Sequence, residues 1–372
     1  MKILFHINSL GKGGAEHVVS VLADRLAADG KQVVIATEWT ADEEYAVAES
    51  VKRITVGLTD ADEKKSRVLK IYLRMKYLRK CIEREQPDIV ISFMQKANYR
   101  AAWAMKGMNI PLLVSVRNDP KIDYAGMRNR IWNHMMTHRA AGCVFQTKEA
   151  SEFFSKDFQE KSRILLNPME DKFLHMELPE KRRSVIVTVG RITRQKNQLL
   201  LVKAFSSMLE QNISKQLPAD LELHIYGADS GDGSLEELND YIRVKNIEDK
   251  VRFMGTTTHL DQEIVDASLF VLPSDYEGMP NALIEAMAMG IPCIATDCPC
   301  GGPATLIQHE ENGYLIPVGG LKELQEAMEY MLMHPEQAEK MGRKAMEIRT
   351  MVNATAVYAA WKQYIEEIIE KK

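Results

Sequence analysis

The sequence predicts an α/β protein built from two parallel-sheet domains. Three observations carry that expectation. The chain has 372 residues, which suits two domains better than one. Short apolar runs alternate with amphipathic stretches along both halves, the pattern of parallel strands with helices on both faces. The alternation lapses over residues 168–184, which are polar with little periodicity and read as a linker, and then restarts.

Residues 1–8 read as a first buried strand and are too short for a signal peptide. The turn Gly11-Lys12-Gly13-Gly14-Ala15-Glu16 follows, then a helix with Val18, Val19, Leu22 and Leu26 on its apolar side. Glycines in such a turn let backbone N–H groups approach a phosphate. The turn lacks the Gly-Lys-Ser/Thr of a Walker A loop and is not a dinucleotide G-x-G-x-x-G. Residues 33–37 form a second strand. Residues 64–82 read as an amphipathic helix, with Val68, Ile71, Tyr72, Met75, Leu78 and Ile82 as its apolar side and eight Lys or Arg around the rest. A packed helix with a solvated basic face satisfies that pattern, and so does a helix resting on anionic lipid. Residues 128–139 combine Arg128, Arg130 and Arg139 with Ile131, Trp132, Met135 and Met136 and are a second candidate. Residues 89–93, 112–116, 141–146 and 164–166 complete the first set of strands. The strand at 112–116 runs into Arg117-Asn118-Asp119-Pro120.

In the second half, residues 184–189 are a β-branched strand. Gly190, Arg191 and Lys196 follow in a turn before a helix at 198–210. Strands are expected at 221–226, ending at Gly227, and at 251–254, ending at Gly255. The apolar run 269–272 leads into a turn punctuated by Gly278 and Pro280. Residues 281–289 are a helix stopped by Gly290 and Pro292. Residues 293–296 are a strand, followed by the turn Cys298-Pro299-Cys300-Gly301-Gly302-Pro303. Residues 313–318 read as a closing strand. Two or three helices finish the chain, the last at about 354–369.

Composition is ordinary for a soluble globular protein, and no run of about 18 apolar residues exists to span a membrane. Five cysteines argue against a disulfide framework and suggest reduced thiols in the cytoplasm. Residues 1–183 carry 31 Lys and Arg against 24 Asp and Glu, a net +7, and the remainder carries 17 against 28, a net −11. A basic first half suggests an anionic partner. No helix-turn-helix, zinc finger or aromatic RNA motif is present, so no nucleic-acid partner is expected.

The stretch Pro273-Ser274-Asp275-Tyr276-Glu277-Gly278-Met279-Pro280-Asn281, continuing through Glu285 to Pro292, carries the sharpest signal. Two glutamates lie eight positions apart, one in a turn and one in the helix that the turn opens. Helix N-termini bind anions, and a carboxylate beside one suits a ligand that also offers hydroxyls. The stretch closely resembles the donor-binding signature of retaining glycosyltransferases of family 4, GT-B fold: P-S-x-x-E-G-x-P-x-x-x-x-E-A-x-A-x-G-x-P, matched at every fixed position. Gly190, Arg191 and Lys196 match the family's G-R…K turn, and Gly13 and Gly14 sit in a turn resembling its G-G-A-E loop.

The resemblance implies two Rossmann-like domains facing across a cleft: residues 1–168, joined by a crossing helix at about 354–372, for the acceptor, and 184–353 for the donor. It implies transfer of a hexose or N-acetylhexosamine from a UDP-sugar with retention. Arg191 and Lys196 would hold the diphosphate, whose charge grows as the glycosidic bond breaks. Glu277 would bind donor sugar hydroxyls, and Glu285 the ribose. Gly227, Met254, Gly278, Met279, Pro280 and Asn281 would complete the nucleotide-sugar site. Arg117 stands where many members carry a histidine and can hold a phosphate or sugar oxygen. No cofactor or metal is implied, because no D-x-D motif sits at a strand end. The R-N-D-P and C-G-G-P turns look like those of bacterial surface-polysaccharide enzymes. The implied acceptor is a saccharide, lipid-linked or soluble, and the implied place is the cytoplasm or the cytoplasmic face of the inner membrane. Rival readings are an epimerase or phosphorylase on this fold, a non-catalytic nucleotide-sugar-binding module, and a dinucleotide oxidoreductase using Glu38 near the second strand's end.

Overall fold

A computed structural model describes residues 1–11, 13–210 and 217–371. The chain clusters into two compact units, Met1–Pro168 with Thr355–Lys372, and Met169–Ala354.

In the N-terminal unit, β1 (Lys2–Ile7), β2 (Gln32–Thr37), β3 (Lys52–Thr55), β4 (Ile89–Phe93), β5 (Leu112–Ser115), β6 (Gly142–Phe145) and β7 (Ser162–Ile164) form one sheet. Their order is β3-β2-β1-β4-β5-β6-β7, and every pairing is parallel. β1, β4, β5 and β6 are buried on both faces, which is why they read as continuous apolar runs. β3, at the edge, is mostly exposed and has no such run; the sequence reading missed it.

The helix Gly14–Ala28 buries Val18, Val19, Leu22 and Leu26 against the sheet. The final helix, Ala354–Glu370, packs on the same core. Its Trp361 is fully buried and stacks on Phe93 at 5.7 Å. Tyr358 donates to Asp29 at 2.7 Å, which fixes the helix to the end of Gly14–Ala28.

The helix expected at 64–82 runs Arg67–Glu85, with Ser66 as its N-cap. Its apolar side is covered only in part. Met75, Leu78 and Ile82 are buried, whereas Val68, Ile71 and Tyr72 are exposed.

In the second unit, β8 (Arg183–Val189), β9 (Glu222–Tyr226), β10 (Val251–Gly255), β11 (Ala267–Leu272), β12 (Cys293–Thr296) and β13 (Tyr314–Ile316) form a parallel sheet ordered β10-β9-β8-β11-β12-β13. Helices Gln198–Glu210 and Leu321–Met333 pack together over its core. The stretch read as a linker folds with this unit. It holds a helical turn, Asp171–Leu174, with Phe173 buried. Arg182 donates to the carbonyls of Gly290, Ala267 and Val265, and Arg349 to those of Met176 and Ala288. Arg182 is thus tied to backbone rather than solvated, and Arg349 anchors the segment from outside it, so the segment is not a free linker.

All five cysteines are buried, and none forms a disulfide among the described residues. No helix among the described residues is long and apolar enough to cross a membrane.

Candidate active site

In an open parallel sheet, ligands bind beyond the strands' carboxyl ends where the strand order reverses direction. In the second unit that point lies between β8 and β11. The two strongest motifs occupy the loops that follow these two strands.

β8 ends at Val189, and Gly190 turns the chain with φ +152°, a conformation L side chains rarely adopt. The Lys196 side chain lies back over Gly190, its methylenes 3.1–3.6 Å from where a Cβ would stand. Gly227, after β9, is forced for another reason. A Cβ there would lie 2.0 Å from the Gly190 carbonyl oxygen, so only glycine lets the two loops touch. Gly227 is thus placed as a support for the Arg191 turn, against the backbone of Gly190 and Arg191.

Three hydrogen bonds join the loop after β8 to the loop after β11. The Asp275 amide donates to the Gln195 carbonyl at 2.8 Å, Gln195 Nε2 to the Tyr276 carbonyl at 2.9 Å, and Asn197 Nδ2 to Asp275 Oδ1 at 2.7 Å. Within this frame Lys196 Nζ lies 2.5 Å from Glu277 Oε1. The same oxygen accepts from Ser274 Oγ at 2.7 Å. Ser274 is itself fixed by Thr296, whose hydroxyl donates to the Ser274 carbonyl. Glu277 is only 6% exposed, so its charge is held by one ammonium and one hydroxyl. Its second oxygen, Oε2, has no protein partner among the described residues. Arg191 is exposed and likewise has no acidic partner among them.

Gly278, Met279 and Pro280 are buried and lead to the helix Asn281–Ala288, whose N-terminus no side chain caps. Gly302 presses on this loop: a Cβ there would lie 1.8 Å from the Gly278 carbonyl oxygen. Cys298 lies close by and is buried. Burial, with the Glu277 carboxylate adding, pushes its thiol up to about 12, so it stays protonated at neutral pH. Glu285 is half-buried on the second turn of Asn281–Ala288. Lys172, from the supposed linker, lies within electrostatic reach of Glu285 and pairs with Glu170 at 3.0 Å and Asp261 at 3.7 Å. Met254 is exposed at the end of β10, beside Gly255 with φ +69°. Asp232 accepts from the Arg194 and Ser234 amides and so organises its own loop.

The sequence reading missed Ser274 and Lys172. The first lay inside the quoted motif, three residues before Glu277 and so able to reach back in a turn. Nothing in the sequence marked the second.

In the N-terminal unit, Gly13 is the N-cap of Gly14–Ala28 and its amide donates to the Gly11 carbonyl at 2.7 Å. A Cβ on Gly13 would lie 2.4 Å from Glu16 Oε2. Lys12 lies outside the described residues. Arg117 follows β5 and is nearly buried, its guanidinium over the rings of Phe93 (4.8 Å) and Trp361 (5.5 Å). Nη1 donates to Asn167 at 2.8 Å, while the buried Nε and Nη2 have no hydrogen-bond partner among the described residues. Burial pushes the guanidinium down to about 9. Glu38 is buried between Arg74 (3.1 Å) and Arg100. Two guanidiniums already occupy it, so it is not a free acceptor for a dinucleotide ribose.

Comparison with known proteins agrees with this fold. Residues 183–334 match the family model described as glycosyl transferases group 1, and residues 12–170 match the model described as glycosyltransferase family 4. A Campylobacter jejuni α-1,4-N-acetyl-D-galactosaminyltransferase acting on an undecaprenyl-diphosphate-linked saccharide is 24% identical over 319 residues, 85% of this chain and 84% of the relative. An uncharacterized Haemophilus influenzae glycosyltransferase is 24% identical across 97% of this chain and 99% of its own. Among solved structures, Anabaena HepE in complex with UDP and glucose superposes with a TM-score of 0.81 at 17% identity, covering 99% of this chain and 100% of that one. A Thermosynechococcus elongatus sucrose-phosphate synthase gives 0.82 at 18% identity, with full coverage of both. The chain is a glycosyltransferase of the GT-B fold. In this glycosyltransferase the Arg191, Lys196 and Glu277 loops are brought together at the second unit's switch point. The glycine turn at Gly13 and Gly14 belongs to the first unit.

Proposed function

We propose that the enzyme transfers a hexose or N-acetylhexosamine from a UDP-sugar to a growing saccharide, with retention at the anomeric carbon, in the assembly of a bacterial polysaccharide. The observation that carries this reading is the Lys196–Glu277 pair. A carboxylate is held rigid through Oε1 by Lys196 and Ser274, and its Oε2 is left free to accept sugar hydroxyls. Arg191, exposed and unpaired among the described residues, joins Lys196 as a cation for the diphosphate. As the glycosidic bond breaks, the leaving UDP gains charge, and fixed cations stabilise it without reorganising. The Glu277 carboxylate stabilises positive charge at the anomeric carbon. The acceptor hydroxyl attacks from the face that UDP leaves, and the leaving phosphate oxygen takes its proton. Glu285 accepts the ribose hydroxyls. Two buried guanidinium nitrogens of Arg117 have no acceptor among the described residues, which supports a role toward a ligand oxygen. Relatives that act on undecaprenyl-diphosphate saccharides support a lipid-linked acceptor, and a neighbour crystallised with UDP supports the nucleotide. No metal takes part in this scheme.

The test is a transfer assay with UDP-, GDP- and ADP-sugars and undecaprenyl-diphosphate saccharides, with and without EDTA, and NMR of the product linkage. The expected product carries the donor's anomeric configuration, appears only with a UDP-sugar and survives EDTA. An inverted linkage, or product only from another nucleotide, would end this reading.

A further inference from the structure

Three helices of the N-terminal unit, Arg67–Glu85, Gln95–Ala104 and Met127–Arg139, lead from β3 to β4, from β4 to β5 and from β5 to β6. These crossovers all step the same way across the sheet, so right-handed connection puts the helices on one face. Gln95–Ala104 packs against both of the others. Each helix runs back against the strand direction, so its first turns lie at the strands' carboxyl edge.

Apolar side chains stand there with no protein over them. On Arg67–Glu85, the stripe buried at Met75, Leu78 and Ile82 continues toward the N-terminus at Val68 and Ile71, beside Tyr72. Val68 is 79% exposed, and Ile71 and Tyr72 are also exposed. On Met127–Arg139, Met127 and Ile131 are one turn apart, 92% and 78% exposed, opposite the buried Met136. Half-buried tryptophans sit between the two groups. Trp103 meets the edge of Tyr72 at 6.0 Å, and Trp132 stacks on Tyr99 at 6.0 Å. The charge on the two outer helices is mainly basic. Met127–Arg139 contains no acidic residue, and Arg67–Glu85 has none before Glu83. Lys64, Arg67, Arg128 and Arg130 are exposed with no ion-pair partner among the described residues, while Lys65, Lys70, Arg74 and Arg79 are salt-bridged.

We propose that this face docks on an anionic phospholipid bilayer. Val68, Ile71, Met127 and Ile131 enter the boundary between headgroups and acyl chains, Trp103 and Trp132 lie at headgroup level, and the four unpaired cations meet lipid phosphates. A second copy of the chain fits worse, because a two-fold contact would set one cationic patch against its own image. The surface deepens the acceptor side of the function proposed above, since a lipid-linked saccharide is presented at a membrane. The binding itself does not depend on that reading.

The test is co-sedimentation of the full chain with phosphatidylethanolamine–phosphatidylglycerol vesicles and with pure phosphatidylcholine vesicles, at low and high salt, without nucleotide or acceptor. The expected result is salt-sensitive binding to the anionic vesicles, with neutral vesicles bound about tenfold more weakly or less. Val68→Asp/Ile71→Asp and Met127→Asp/Ile131→Asp should each lower partitioning about tenfold while leaving the melting temperature and UDP-induced stabilisation unchanged, because these side chains touch solvent. Absence of binding to anionic vesicles, or aspartate variants that partition like the parent, overturns the proposal. So does a change in solution mass with vesicle binding unaffected, which would assign the face to a second copy. Vesicle binding without any UDP response would instead overturn the donor reading and leave this surface standing.

Discussion

Replacing Lys196 by Met separates the two tasks of that side chain. Its ammonium lies 2.5 Å from Glu277 Oε1, and the side chains are 20% and 8% exposed. The substitution keeps the methylenes that cover Gly190 but leaves a buried carboxylate with only the Ser274 hydroxyl. Breaking a fully buried ion pair from one side is destabilising by about 3–5 kcal/mol. Partial exposure of Lys196 lowers the expectation here to about 2 kcal/mol. In a unit the size of Met169–Ala354 that is a melting shift of roughly 4–8 °C. Glu277→Gln added to Lys196→Met removes the stranded charge and should recover most of the loss. Transfer should not recover with it, because the double variant lacks both the Lys196 ammonium and the Glu277 carboxylate proposed to stabilise the transition state; kcat should stay lower by about 10²–10³. The assay is calorimetry on the wild type, both single variants and the double variant, beside steady-state transfer. A Lys196→Met enzyme that melts and turns over like the wild type, or a double variant no more stable than that single one, would refute the reasoning.

Other perturbations have distinct signatures. Arg191→Ala should leave stability within about 0.5 kcal/mol, since the side chain is exposed and unpaired, yet weaken UDP binding about 10–100-fold by titration calorimetry. Gly302→Ala would place a Cβ 1.8 Å from the Gly278 carbonyl oxygen, so the Glu277 loop must shift. A loss of about 1–3 kcal/mol with a fall in kcat is expected, and an unchanged kcat would show that the loop's position does not matter. For Arg117 the folded value is pushed down by burial to about 9, below the unfolded one. The unfolded chain therefore binds more protons between these values. The penalty for the buried charge is fully present below about pH 9 and is lost as pH rises above it. Arg117→Met should be more stable than the wild type at pH 7 by about 1–3 kcal/mol, with the gap closing above pH 9, while transfer falls. A variant that is less stable at neutral pH would show that the guanidinium is satisfied.

Much of the fold was legible because β1, β4, β5, β6, β8, β11 and β12 are covered on both faces and read as apolar runs. The Glu277 and Arg191 turns were legible because each lies between a buried strand and a helix with clear punctuation. What escaped depended on contacts distant in sequence. Arg182 and Arg349 look solvated in the sequence but bind carbonyls in other segments. The sandwich of Arg117 between Phe93 and Trp361 needs three segments brought together by the sheet and the final helix. The exposed start of the helix Arg67–Glu85 could not be seen because its apolar stripe has normal helical spacing. Only the structure shows that part of the stripe has no cover.

The most direct test of the central claim is the stabilisation of the full chain by a nucleotide panel of UDP, GDP, ADP, UDP-sugars and NAD, run in parallel on Arg191→Ala. A ligand bound only by the native state at one hundred times its Kd stabilises by about 2.7 kcal/mol. The account predicts that UDP and one UDP-sugar stabilise the wild type and that the response falls to about 0.4–1.4 kcal/mol in Arg191→Ala. A response to NAD alone, or a UDP response untouched by the substitution, would contradict the assignment of this site.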